Sequence, residues 1–168
     1  MVRLKGGEPF VFGRGGEDLE CLRSTGVPVE VVPGVTAACA AAASLGIPLT
    51  HRGLARSLHC ITGHGAEGTV PGHDWAAPAR ASGTIAAYMA SRTLATVAAR
   101  LIAAGLAGST PAAVVEHASR PHQRKLFGTL ATVPGLLATR DFGGPTMVLI
   151  GDVVALAVAQ LPAVGRAA

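Results

Sequence analysis

Three short stretches of this chain combine residues that can bind or orient a polar ligand. The first runs from Leu4 to Glu17, with Gly6-Gly7-Glu8 and Gly13-Arg14-Gly15-Gly16 flanking the apolar Phe10-Val11-Phe12. Glycine lets a backbone approach a ligand closely and adopt positive φ, and successive exposed amides can cradle an anionic or polar group. A plain tight turn uses glycine in the same way. The spacing is neither the GxGxxG dinucleotide fingerprint nor a phosphate loop, because no Gly-Lys-Ser/Thr follows. The second stretch, Val31 to Ala37, reads as a strand, a Pro33-Gly34 turn and a helix start. Thr36 either caps that helix through its hydroxyl or, with the Ala37 amide, sits at the mouth of a site beyond the strand's carboxyl end. The third stretch, Gly46 to Ser57, carries His51, Arg52 and Arg56 after a helix stop. These are either solvated loop charges or a carboxylate-binding set, for which the planar guanidinium fork is suited. Met89 is either a core residue or a soft contact for an adenine or sulfonium. His59, Cys60 and His64 lie across an alternating strand and lack metal-ligand spacing, so no metal site is expected.

The elements that must position these residues alternate in type. Strands are expected at Met1–Leu4, Pro28–Val32, Leu58–Thr62, Thr84–Met89, Ala112–Glu116, Arg124–Gly128 and Thr146–Ile150. Helices are expected from Glu17, whose acidic first turn suits the helix dipole, over Thr36–Leu45, which Gly46 and Pro48 close, and over Thr93–Ala104 and Leu130–Ala138. Residues Gly63–Pro78 read as a loop, and Val153–Leu161 as an apolar tail suited to an interface. The alternation indicates an α/β fold, with some of the later, closely spaced strands pairing antiparallel.

Composition bounds the rest. The 168 residues are 49% hydrophobic and 14% charged, which excludes a disordered chain. Aromatic residues are only 4%, so the core must be built from Ala, Val and Leu. The net charge of +4 suits an anionic partner, but no Lys/Arg block with interleaved aromatics marks a nucleic-acid surface. Cys21, Cys39 and Cys60 show no CxxC spacing and read as reduced thiols of a cytoplasmic protein. The Ala-rich run Val35–Leu45 is too short to span a bilayer, so no membrane association is expected.

Taken in order, VRLKGGEPFVFGRGGED (2–18), PVEVVPGVTAA (28–38) and GIPLTHRGLARS (46–57) resemble the tetrapyrrole methylase family. Its branch that C-methylates uroporphyrinogen III is the most similar, on the LTHR segment. The resemblance continues through Ile61–His64, Tyr88-Met89, Val114–Ala118 and Val148–Gly151. It implies two α/β domains with ligands in the cleft between them, S-adenosylmethionine as methyl donor, and conversion of uroporphyrinogen III to precorrin-2 for sirohaem or cobalamin. It places cofactor contacts on Gly6, Gly7, Glu8, Val11, Thr36, Ala37, Met89 and Ala118, and it implies a homodimer. His51, Arg52 and Arg56 are the expected partners of the substrate's carboxylates. Glu8 stands where the family usually has Asp, and Ala118 where some relatives have Gly. The family's acidic catalytic residue and a lysine that acts with it match no residue here and are expected before Met1, since the chain opens inside a strand-to-loop motif. On that expectation residues 1–55 are an incomplete N-terminal domain and 56–168 the C-terminal domain. Two rival readings stand beside this one: a non-catalytic fragment with a partial cofactor cleft and a dimer surface, and a methylase of a later corrinoid intermediate.

Overall fold

The computed structural model describes residues 1–65 and 68–159. In chain order the elements are α1 (Gly15–Ser24), α2 (Ala37–Leu45), β1 (Ser57–Thr62), α3 (Ala76–Arg80), β2 (Gly83–Tyr88), α4 (Leu94–Ala103), β3 (Pro111–Glu116), β4 (Arg124–Thr129), α5 (Val133–Ala138), β5 (Thr146–Ile150) and α6 (Val154–Ala159). The five strands form one sheet in the order β1-β2-β5-β3-β4. Only β1 and β2 are parallel; β2 with β5, β5 with β3 and β3 with β4 are antiparallel. This agrees with the expected α/β class and with antiparallel pairing among the later strands.

Side chains alternate across the strands and serve two cores. One face carries Ile85, Ala87, Val114, Val148 and Ile150 against Leu94, Val97 and Leu101 of α4 and Val133 and Leu137 of α5. The other carries Ala86, Tyr88, Ala113, Val115, Met147 and Leu149 against Ala38, Ala41, Ala42 and Leu45 of α2 and Val154 and Ala157 of α6. With both faces covered, β2, β3 and β5 read as nearly continuous apolar runs rather than alternating ones. The second core joins residues from both sides of position 55, because α2 lies on the sheet that the later residues build. The helix stop is as expected: Gly46 caps α2 with left-handed backbone, φ 70°.

Two expected strands do not form. Met1–Leu4 and Pro28–Val32 have no ladder partner among the described residues. Their apolar side chains face outward: Val2 is 90% exposed, Leu4 93% and Val32 76%. A β-rich run becomes a strand only where another backbone accepts its hydrogen bonds, and none of the described residues does so here. Arg3 and Lys5 instead pair with Asp18 of α1, which ties the first segment to that helix. The apolar tail is also corrected. Val153, Val154 and Ala157 are buried against the chain's own sheet and are not free for an interface, while Gln160 and Leu161, like the rest of 160–168, lie outside the described residues. So do residues 66–67 of the expected loop.

Candidate functional site

Because β2 and β3 both run antiparallel to β5, they point the same way, and β1 runs with β2. Thr62, Tyr88 and Val115 therefore stand level: Tyr88 registers with both Thr62 and Met147, and Met147 with Val115. The loops after β1, β2 and β3 leave from one edge, the kind of place where open α/β sheets hold ligands. Met89 and Ala118 sit there, the first 48% exposed and the second packed on the α2-side core.

The backbone is strained at this edge. Among the described residues, the non-glycine residues with positive φ are Phe12, Arg14, Met89, His117 and Ser119. Met89 follows β2, His117 and Ser119 follow β3, and Phe12 packs its ring 4.8 Å from that of Tyr88. Left-handed backbone costs a residue with a Cβ about 1–3 kcal/mol and tends to cluster where a ligand is held.

Tyr88 organises the site. Its hydroxyl lies 2.6 Å from Thr36 Oγ1. Thr36 stands at the N-cap of α2 but makes no side-chain cap bond, since its hydroxyl is spent on Tyr88. Burial pushes the Tyr88 phenol above its usual range, against the pull of the Thr36 bond, so it is a neutral hydrogen-bonding group at neutral pH. Desolvation beside it likewise pushes the Cys60 thiol up, which makes that cysteine a poor nucleophile. Tyr88→Phe is expected to release Thr36 and lower stability by about 1 kcal/mol, the net worth of one such bond. Urea unfolding of the two proteins checks this, with an unchanged slope and a lower midpoint.

The glycine-rich segment docks on the Pro33-Gly34 turn. Glu8 accepts the Gly34 amide at 2.9 Å and the Phe10 amide at 3.2 Å. Its carboxylate is thus taken up in shaping the loop. A Cβ built on Gly6 meets nothing within 4 Å, so that residue's outer side is open to an approaching molecule. Val11 packs on the same core as Tyr88. Of the expected contacts, Thr36 is bonded to Tyr88, Met89 follows it in the chain, and Val11 and Ala118 pack on the same core, while Glu8 joins the Gly6–Glu8 loop to Gly34.

His51, Arg52 and Arg56 are exposed but belong to another part of the molecule. Arg56 donates its amide to Ser82, just before β2, and His51 is bonded to Ala55. From Gly83 to Tyr88 is five strand steps, roughly 17 Å. The structure thus does not bring Arg56 to Met89. Sequence reasoning missed Tyr88 as the hub, and it missed Glu116, Gln123 and Arg124, which shape the loop after β3. The one available signal was an acid closing the apolar run Val114-Val115-Glu116. Among the described residues, no group of three or more His, Cys, Asp or Glu could hold a metal, and no helix is long and apolar enough to cross a membrane.

Residues 1–134 match the family model of the tetrapyrrole (corrin/porphyrin) methylases. The chain belongs to this family. It is 50% identical over 157 residues to a siroheme synthase of Xylella fastidiosa, covering 94% of this chain and 33% of that protein. It thus spans about a third of the length of the curated relatives it matches. A crystal structure of uroporphyrin-III C-methyl transferase from Thermus thermophilus, complexed with S-adenosylhomocysteine, superposes with a TM-score of 0.81 at 38% identity. That match covers 93% of this chain and 67% of the other. A cobalt precorrin-4 methyltransferase superposes with a TM-score of 0.82 at 29% identity, over 91% of this chain and 64% of that one.

Proposed function

We propose that this chain binds S-adenosylmethionine at the edge around Tyr88 and takes part in C-methylation of uroporphyrinogen III to precorrin-2, in sirohaem or cobalamin biosynthesis. The observation that carries the reading is the convergence of strained backbone at Phe12, Met89, His117 and Ser119 on the contact set around Tyr88. The residues fit the cofactor: Gly6 leaves an open approach, Met89 is half-exposed, and the Ala118 amide and carbonyl are not taken up by the bonds that engage the His117 and Ser119 amides. When bound, S-adenosylmethionine supplies an activated methyl on a positive sulfur. The chain's task is then to hold the two reactants in line, an effect that can contribute several kcal/mol. Neither carboxylate beside the site is placed to act as a base. Glu8 is held by two amides, and Glu116 by Arg124 and the Gly144 amide.

In this reading residues 1–55 and 56–168 supply the two walls of the cleft. His51, Arg52 and Arg56 meet the substrate's outer carboxylates, away from the methyl donor. The protein is read as a homodimer and as cytoplasmic, the latter supported by the free thiols of Cys21, Cys39 and Cys60. The likeness to a cobalt precorrin-4 methyltransferase supports a second reading, methylation of a later corrinoid intermediate. Supplying each tetrapyrrole with labelled S-adenosylmethionine, with the remainder of a complete relative added, separates the two by which one takes up label. Calorimetry with S-adenosylhomocysteine tests the binding itself. Gly6→Val is expected to weaken it about tenfold, which is 1.4 kcal/mol, without lowering the melting temperature, because Gly6 is exposed and a Cβ there meets no protein atom within 4 Å. Equal affinities in the two proteins remove Gly6 from the site.

A further inference from the structure

The turn after β3 is held from outside itself. Glu116, the last residue of β3, is fully buried. It accepts Arg124 Nε at 2.6 Å and the Gly144 amide at 2.7 Å, which joins the end of β3 to the start of β4 and to the loop entering β5. Arg124 also donates to the Asp141 carbonyl and lies 4.7 Å over the Phe142 ring. His117 donates its amide to the Pro145 carbonyl at 2.9 Å, which fixes where the chain leaves the strand. The next three residues then take an unusual path. His117 has φ 50° and Ser119 φ 64°, with Ala118 between them. Neither residue is one that adopts left-handed backbone without cost. The Ser119 amide is met by Gln123 Oε1 at 2.8 Å, across a turn closed by Arg120 N to His117 O and Gln123 N to Arg120 O.

We propose that Gln123 is a positioning residue for the methyl donor: its side-chain oxygen holds Ser119 in the left-handed conformation that turns the Ala118 backbone toward the cofactor, on a base set by Glu116. The inference rests on the cofactor reading above. A strained pair of residues keeps its shape only where something over-determines it: backbone bonds hold His117, and the Gln123 side chain is what holds the Ser119 amide. Gln123 is only half-buried and packs in neither core, so its removal leaves the fold intact.

The test compares wild type, Gln123→Ala and Gln123→Glu, which keeps an acceptor oxygen. Affinity for S-adenosylhomocysteine is read by calorimetry, the melting temperature by calorimetric scanning, and Ser119 amide exchange by NMR. Gln123→Ala is expected to bind about tenfold more weakly, with faster Ser119 exchange and an unchanged melting temperature, and Gln123→Glu to restore most of the affinity. Wild-type binding with no loss in Gln123→Ala overturns this inference and leaves the cofactor reading standing. So does a loss that Gln123→Glu fails to restore. No binding by wild type overturns the cofactor reading and this inference with it.

Discussion

Replacing Gly34 by alanine is expected to weaken S-adenosylhomocysteine binding by about 5- to 150-fold, corresponding to the 1–3 kcal/mol of an overpacked contact. A Cβ at Gly34 would stand 2.0 Å from the Gly7 carbonyl oxygen and 2.9 Å from its carbon. Backbone cannot yield as the tip of a flexible side chain does, so the Gly6–Glu8 loop must lift off the turn. The Glu8 bond to the Gly34 amide is lost in the same movement. The melting temperature should change little, because the residues from Thr25 to Val35 are exposed and contribute little to either core. Titration calorimetry with a parallel melting scan separates the two effects. A Gly34→Ala protein with wild-type affinity would show that the loop is not a wall of the site.

The second large effect is on stability. Glu116→Ala is expected to cost about 2–3 kcal/mol, since it orphans the Gly144 amide, leaves Arg124 without its carboxylate and opens a hole at the end of β3. The cost stays at the lower end because the Arg124 side chain is 49% exposed and water can take the place of its partner. At roughly 2–4 °C per kcal/mol for a chain of this size, the melting temperature falls by about 4–12 °C. The sign of the pH effect follows from the same bonds. The Arg124 guanidinium, and after it the Gly144 amide, hold the Glu116 carboxyl below its usual range, with burial opposing them. A lowered folded-state pKa gives stability that is fully present above the unfolded carboxyl value of about 4.3 and is lost as pH falls through the folded value. Glu116→Gln should therefore flatten the stability profile below about pH 4.3. A profile as steep as that of wild type would place the acid-sensitive carboxylate elsewhere.

Much of this architecture was legible in the residues. Apolar runs at 112–116 and 146–150 could bury both faces, and Gly46 with Pro48 could only end a helix. The motif order carried the family. The strand expected at Pro28–Val32 fails for a physical reason. Alternating valines describe a face, whereas a strand needs a backbone partner, and whether one is present is not a local property.

By itself the sequence determined the α/β class, the Ala- and Val-built core and the helix stops, because these follow from side-chain size, periodicity and turn chemistry along the chain; the family came from the resemblance of its motifs. Only the tertiary structure decided which strand ends share an edge, that Thr36 spends its hydroxyl on Tyr88 rather than on its own helix, and that Arg56 lies a strand's length from Met89. It alone showed that Glu8 and Glu116 are engaged by backbone amides. Each of these depends on groups far apart in the chain brought within hydrogen-bonding reach by the stacking of α2 on the sheet, and no spacing along the sequence encodes that distance.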